Sequence, residues 1–261
     1  MRNSIIALGL ILLFASCNKD DEPRFIDEPS DEVVKYQVYL SDNQISGYKK
    51  YINDEFIERA DYYDSDSVSG MIRTDTAGDV IEKATYRMNE NDLARSATDS
   101  VFSGSGLYVA ELEYEYQDDF MIKAVVHWKN SGTVSDSGLF TITKTIEEEN
   151  ISSVNTSFPN WASGCTDYFK YGDQLNKTDI INLTPRITGK ISKNLIVHAS
   201  WDNGFPCGPS SSIPFSDFHY DLDQNGYVTK MIETYTPCYH LISPGEVIRT
   251  VTTTLYEYIS R

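Results

Sequence analysis

The chain is poor in basic residues and in residues arranged for catalysis. Its 261 residues contain 22 Lys and Arg against 39 Asp and Glu, which gives a formal net charge of −17. This charge argues against DNA or RNA as a partner, because a phosphate backbone binds basic surfaces. The 4 histidines match no catalytic spacing, and neither a nucleophile elbow nor a phosphate-binding glycine loop occurs. The sequence therefore predicts no enzyme, no cofactor, no metal site and no nucleic-acid partner.

Long apolar runs are also missing, apart from one near the N-terminus. Residues 5–15 are apolar, follow Arg2 and are too short to cross a bilayer, which is typical of a signal peptide. Cys17 comes directly after two small residues, with Phe14 where the lipoprotein pattern usually has Leu. The segment resembles a bacterial lipoprotein signal, which implies that residues 1–16 are removed and that Cys17 carries a lipid anchor. A plain signal peptide with a chance cysteine is the alternative.

A short acidic segment follows Cys17. Lys19 and the three acids directly after it resemble the export signal of surface-exposed lipoproteins of Bacteroidota. The resemblance implies an outer-membrane protein at the cell surface, attached to the membrane through its lipid. A solvated acidic linker that no receptor reads is the alternative. Residues 17–32 carry 7 acids, 2 bases and 2 prolines, and they are predicted to form a disordered tether.

The remaining residues, 33–261, show the alternation of β-strands and no sustained helical period. The predicted strands cover residues 33–40, 56–63, 69–74, 80–88, 107–116, 121–128, 139–147, 180–191, 195–201, 215–222, 227–235 and 247–258. Residues 160–177 are expected to form a short helix or a long loop. The sequence thus predicts one all-β domain, an antiparallel meander curled into a sandwich or open barrel. A subdivision near residue 150, beside an acidic run, is the alternative.

A Tyr-rich hairpin pattern recurs in the predicted meander. Aromatic residues precede an acidic turn at residues 62–66, 114–119 and 219–223, and a strand with a basic residue follows each turn. The pattern resembles the hairpins of uncharacterised Bacteroidota lipoproteins, which implies a curved sheet and no particular activity. The third copy also matches the first half of a calcium loop. Ile232 stands where that loop needs Glu, so a hairpin turn is predicted instead.

Three cysteines remain beyond the anchor. In the predicted strand order, loops 202–214 and 236–246 emerge at the same end of the sheet, which favours a disulfide between Cys207 and Cys238. A bond between Cys165 and Cys207 is the alternative. A zinc cage of the three thiols with His240 would lack the paired cysteine spacing of such sites.

Aromatic residues beside the same loops are the candidate ligand-binding residues: Trp161, Trp201, Phe205 and Tyr239. They can stack on sugars or anchor a protein partner, or they can simply cover the end of the core. The sequence thus predicts an outer-membrane-anchored binding or structural module that captures a glycan or a protein. A periplasm-facing lipid or lipoprotein carrier with an apolar groove is the alternative, and a hydrolase with a polar cleft is a third hypothesis.

Overall fold

The chain folds into strands joined by turns and loops. A computed structural model describes residues 23–42, 44–65, 68–103, 106–130, 137–159, 164–177, 189–202, 212–239 and 246–260. Within these ranges no helix is long and apolar enough to cross a membrane. The strands, in chain order, are β1 (Arg24–Ser41), β2 (Gln44–Ile52), β3 (Glu55–Ser65), β4 (Val68–Thr74), β5 (Val80–Met88), β6 (Ala94–Ser103), β7 (Gly106–Gln117), β8 (Phe120–Asn130), β9 (Ser137–Glu147), β10 (Asn150–Ser157), β11 (Cys165–Leu175), β12 (Asn194–Asp202), β13 (Phe215–Leu222), β14 (Val228–Thr236) and β15 (Glu246–Ser260).

The strands form one closed barrel. Each strand pairs antiparallel with the next, and β1 closes the sheet by pairing parallel with β15. The parallel pair follows from the odd strand number, which makes the first and last strands run in the same direction. The all-β prediction is confirmed, whereas the sandwich or open barrel is corrected, because the pairing of β1 with β15 leaves no open edge. We call the end where β1 begins the mouth end and the end where β1 finishes the cap end.

The predicted strands agree with the structure wherever apolar residues alternate. Strands β5 and β13 have the predicted bounds, 80–88 and 215–222. Strands β2, β6 and β10 were not predicted, because Ser, Thr, Asn and Lys interrupt or replace the apolar alternation in them. Strand β11 replaces the helix or loop expected over 160–177. Of the strand expected over 180–191, residues 189–191 are not in a strand and the rest lie outside the described residues.

The barrel begins earlier than the sequence suggests. Residues 24–32 were predicted to be disordered tether, but they belong to β1, whose residues 24–29 pair with residues 246–251 of β15. Ion pairs from Arg24 to Glu246 and from Arg249 to Asp27 join the two strands. At the other proposed boundary, the acidic run near residue 150 forms the turn between β9 and β10, and the strand order continues through it.

The apolar core lies inside the barrel. Val38, Leu40 and Tyr48 from β1 and β2 pack in one cluster with buried residues of strands on both sides of the barrel closure. Further members are Ile45, Ala60, Met71, Ala84, Leu195, Val228 and Tyr256. Tyrosines from the predicted repeats, including Tyr62 and Tyr220, pack against this cluster. Burial of apolar surface at about 25 cal/mol per Å² makes this cluster a main stabilising feature of the fold.

The three predicted Tyr-rich hairpins are confirmed as hairpins β3–β4, β7–β8 and β13–β14. In the third, the Asp223 carboxylate accepts hydrogen bonds from the backbone N–H groups of Asn225 and Tyr227, at 2.8 and 2.9 Å. Gly226 follows with a φ of 80°, which suits glycine. The segment that resembled a calcium loop is therefore a turn, as predicted.

Candidate functional site

The two ends of the barrel differ, and residues 189–193, directly before β12, lie against turns of the cap end. The backbone N–H of Lys190 donates to the Asp119 carbonyl in the β7–β8 turn, at 2.8 Å. The N–H of Lys193 donates to the Glu149 carbonyl in the β9–β10 turn, at 3.0 Å. Lys177, shortly after the end of β11, lies over the Tyr227 ring beside the β13–β14 turn. We call residues 189–193 the strap, because they fasten neighbouring cap-end turns together.

A buried serine anchors the strap to the barrel wall. The Ser192 hydroxyl lies 2.9 Å from the Tyr171 hydroxyl and accepts a hydrogen bond from the backbone N–H of Ile151, at 3.0 Å. Tyr171 also donates to the Ile151 carbonyl, at 2.7 Å. Together with the apolar cluster, these bonds pack the interior toward the cap end, so the described part of the barrel does not resemble an open channel.

The outer wall of the barrel carries charged residues on β7 and β8. On β7 the outward positions Glu111, Glu113 and Glu115 are exposed, and Leu112 and Tyr114 point inward between them. On the neighbouring β8, Lys123 pairs with Glu115 at 2.6 Å, and His127 is exposed. A wall that faced lipid would carry an apolar band at this height, because a charged side chain near the bilayer midplane is unfavourable, by about 2–4 kcal/mol for Lys or Arg and by less for Glu.

Aromatic side chains line the inner wall near the mouth end. By strand register, the inward positions there include Tyr108 of β7, Trp128 of β8, Phe140 of β9, Trp201 of β12 and Tyr235 of β14. The side chains of Tyr108 and Tyr235 are 36% and 39% exposed, in contrast to the buried tyrosines of the core. We call these five residues the mouth aromatics. The exposure of Tyr108 and Tyr235 indicates that the interior is accessible at this end.

Two contacts fix the orientation of mouth aromatics. The rings of Trp201 and Tyr235 lie 6.1 Å apart between centroids, across the intervening strand β13. The indole of Trp128 lies across Gly138 on β9, where any Cβ would meet the indole nitrogen. Glycine at that position therefore leaves room for the ring to lie flat on the sheet. Another aromatic ring can stack on these fixed faces, and such a pair contributes about 0.5–1.5 kcal/mol in addition to the burial of apolar area.

Charged residues occupy the inner wall above the mouth. Arg73 of β4 pairs with Glu58 of β3 at 3.3 Å and with Glu82 of β5 at 2.5 Å. The Tyr48 hydroxyl donates to Glu58 at 3.3 Å, and burial raises the pKa of that phenol above its ordinary value. Asp99 of β6 lies beside this group, which we call the inner charged cluster: Glu58, Arg73, Glu82 and Asp99. Three carboxylates against one guanidinium leave the cluster acidic.

Asp99 is the member of the cluster with the most altered acidity. Burial and the nearby charge of Glu82 raise the pKa of Asp99 to about 6. Its Oδ1 atom is buried and accepts no hydrogen bond from the described residues. On the far wall, burial raises the pKa of Asp167 as well, and Asp167 is the register partner of Trp201. Carboxyl groups and aromatic faces therefore share the accessible part of the interior.

The structure locates some of the predicted site residues. Trp201 lies at the mouth, as predicted, and its ring belongs to the inner wall. Tyr239 follows β14, where its ring packs edge-on against Phe25 at 5.8 Å and its backbone bonds to Ser212. Trp161, Phe205 and the predicted lipid attachment residue Cys17 lie outside the described residues.

Two of the cysteines in the predicted disulfide pairings lie at the mouth end of the barrel. Cys165 begins β11 and Cys238 follows β14, both half-buried and both at the mouth end. Cys207 lies outside the described residues. The disulfide between Cys207 and Cys238 therefore remains a prediction.

Sequence reasoning missed most of the site. Tyr108, Trp128, Phe140 and Tyr235 were not predicted, although each lies inside or at the edge of a predicted strand. Their inward direction could have been found from alternation with exposed neighbours, as on β7. The inner charged cluster gave no such signal, because Glu58, Arg73 and Glu82 become neighbours only through strand pairing.

The barrel can now be compared with known proteins. No family model and no curated protein matches the chain. A crystal structure of a porin-like protein from Bacteroides uniformis ATCC 8492 matches with a TM-score of 0.54 and 16% sequence identity, over 83% of this chain and 88% of that chain. A porin-like protein from Bacteroides vulgatus ATCC 8482 matches with a TM-score of 0.50 and 11% identity, over 76% and 93%. The chain thus has a porin-like β-barrel fold, and at these identities the likeness concerns the fold alone.

Proposed function

We propose that the protein is a lipid-anchored binding module of the outer membrane that takes a ligand into the mouth of its barrel. The proposal rests on the contrast between the two ends of the barrel interior. The cap end is packed and strapped, whereas the mouth aromatics are accessible and share the wall with carboxyl groups. A cup of this kind can hold a ligand at its mouth.

The polar outer wall supports attachment by a lipid rather than insertion of the barrel. Glu113 and its neighbours on β7 would each face hydrocarbon if the wall crossed a bilayer. The lipoprotein-like segment before the barrel supplies the other means of attachment, through Cys17. Two or more acyl chains on one residue form a stable anchor.

The chemistry of the mouth favours a polar ligand with flat apolar faces, such as a glycan. Trp201 and Tyr235 offer faces on which sugar rings stack, and Asp167 and Asp99 can accept hydrogen bonds from hydroxyl groups when ionised. The inner charged cluster makes the same space unfavourable for an acyl chain, because an apolar ligand would desolvate its carboxylates without replacing their hydrogen bonds. The glycan is therefore preferred over the lipid cargo of the alternative carrier. The proposal includes no catalytic activity.

Ligand binding can be tested by calorimetry on the full chain with a panel of soluble oligosaccharides and, separately, dispersed phospholipid. We expect an oligosaccharide to bind and Trp201→Ala to weaken it at least tenfold, because the indole forms part of the stacking surface. Tyr63→Ala is the matched control, since Tyr63 is an exposed aromatic at the cap end. Binding of phospholipid alone, or equal binding by both variants, would contradict the glycan proposal.

The anchor is tested by labelling expressing cells with radioactive palmitate. We expect label on the wild-type protein and none on Cys17→Ser, because serine has no thiol to receive the lipid. Equal labelling of both proteins, or of neither, would show that the N-terminal segment is not a lipoprotein signal.

A further inference from the structure

Exposed apolar side chains are concentrated at the mouth end of the barrel. Fourteen large apolar side chains are exposed among the described residues, and nine of them lie within four residues of a strand end at the mouth. Six of the nine form what we call the apolar rim: Phe25, Phe102, Leu139, Tyr168, Ile213 and Ile248. At the cap end the same criterion finds three of the fourteen among the described residues: Tyr63, Leu175 and Val197. Concentrations of exposed apolar groups at one place mark interaction surfaces.

Acidic residues stand at both ends of the barrel. At the cap end they lie in or beside the described turns, and two of them, Asp119 and Glu149, pair with Lys190 and Lys193 of the strap at 3.2 and 2.7 Å. At the mouth end Asp27 pairs with Arg249 at 2.6 Å and Glu246 pairs with Arg24 at 3.2 Å. Further acids at this end are Glu28, Asp31 and Glu32 on β1 and Asp54 and Asp75 in turns. The exposed apolar side chains, and not the charges, therefore distinguish the mouth end from the cap end.

The position of the N-terminal segment decides what covers the rim. Strand β1 begins at the mouth end with Arg24, and Cys17 precedes it by seven residues. Seven extended residues span at most about 25 Å. A lipid on Cys17 therefore holds the mouth end within this distance of the bilayer, and the cap end lies a strand length farther away.

We propose that the mouth end docks on the surface of the bilayer that carries the anchor. The apolar rim then lies among the lipid headgroups, and the cap end points away from the bilayer. This inference rests on the proposed lipid anchor and deepens the proposed function. A docked mouth receives its ligand from the membrane surface, as the headgroup of a membrane-borne molecule, and not from the medium.

The docking is tested with two reporter variants of the full lipidated chain in vesicles of phosphatidylethanolamine and phosphatidylglycerol. Ile248→Trp places an added indole on the rim, and Leu175→Trp places one at the cap end. The two replaced side chains are matched, since they are 52% and 54% exposed, so both variants are expected to fold. The measurement is the quenching of the added Trp emission, relative to wild type, by phospholipids brominated near the glycerol end of the chain.

We expect brominated lipid to quench the emission added by Ile248→Trp by about half or more and to leave that of Leu175→Trp unchanged. Equal quenching of the two reporters, or none, in protein that floats with the vesicles would overturn the docking and leave the anchor intact. Protein that fails to float would overturn the anchor and the docking with it. Flotation and quenching therefore distinguish failure of the proposed function from failure of this inference.

Discussion

Asp99 illustrates, at the scale of one residue, how the barrel interior alters chemistry. Its pKa is about 6 in the folded protein against an ordinary value of 3.8, because burial and Glu82 disfavour the ionised form. The folded state thus binds a proton more tightly than the unfolded state. Stability is lost as pH rises from about 4 to about 6, since the folded protein must then hold a charge that the unfolded chain holds in water.

The change Asp99→Asn removes this charge at nearly constant shape. We expect the free energy of unfolding of the variant to exceed that of wild type by about 1 kcal/mol at pH 7.5. This figure is discounted because the carboxyl group is partly exposed to solvent. At pH 4 the two proteins should have nearly equal free energies of unfolding. Urea unfolding at the two pH values provides the measurement. Glu113→Gln on the exposed outer wall is the control and should show no such pH dependence. A destabilised Asp99→Asn at pH 7.5 would mean that the ionised carboxylate forms favourable contacts.

The strap is the element that most distinguishes the cap end from the mouth end. Its first residue, Gly189, has a φ of 102°, and a Cβ there would meet the Asp119 carbonyl oxygen. Both properties require glycine, so the close approach of strap and turn depends on the absence of a side chain. Gly78, in the β4–β5 turn, also has a positive φ of 88°, but a Cβ there meets nothing within 4 Å.

These two glycines form a matched pair for measuring what strap docking contributes. We expect Gly78→Ala to destabilise the barrel by about 1 kcal/mol, which is the backbone cost of a side chain at positive φ. Gly189→Ala should cost roughly 2–3 kcal/mol, because the clash with Asp119 is added to the same backbone cost. Denaturant unfolding of both variants checks this difference. Equal losses would contradict close docking of the strap.

The elements also show which parts of the fold could be predicted from sequence. Strands with one polar and one apolar face, such as β13, were predicted with their exact bounds. In such strands the alternation of polar and apolar residues reflects which residues are buried. Strand β10 was missed, since Asn, Ser and Thr fill both of its faces. Closure of the barrel was missed as well, because it depends on pairing between β1 and β15 at opposite ends of the chain. The inner charged cluster was missed because its members lie on the successive strands β3 to β6 and become neighbours only through the register of strand pairing.

At the scale of the whole molecule, the fold is porin-like but its surfaces are arranged differently from those of a membrane-spanning barrel. Charged residues such as Glu113 and Lys123 cover the outer wall, and the apolar core with Val38 fills the interior toward the cap end. An apolar core beneath charged outward positions is the arrangement of a protein surrounded by water. We therefore infer that the lipid, and not the barrel wall, holds the molecule at the membrane.

Phase partition in Triton X-114 tests this central claim most directly, with wild-type protein and a variant without residues 1–17, which carries neither the acyl chains nor the apolar run 5–15. We predict wild type in the detergent phase and the shortened protein folded in the aqueous phase, because the acyl chains on Cys17 are what require detergent. A folded shortened protein that stays in the detergent phase would contradict the account, since the surface of the barrel itself would then hold it there.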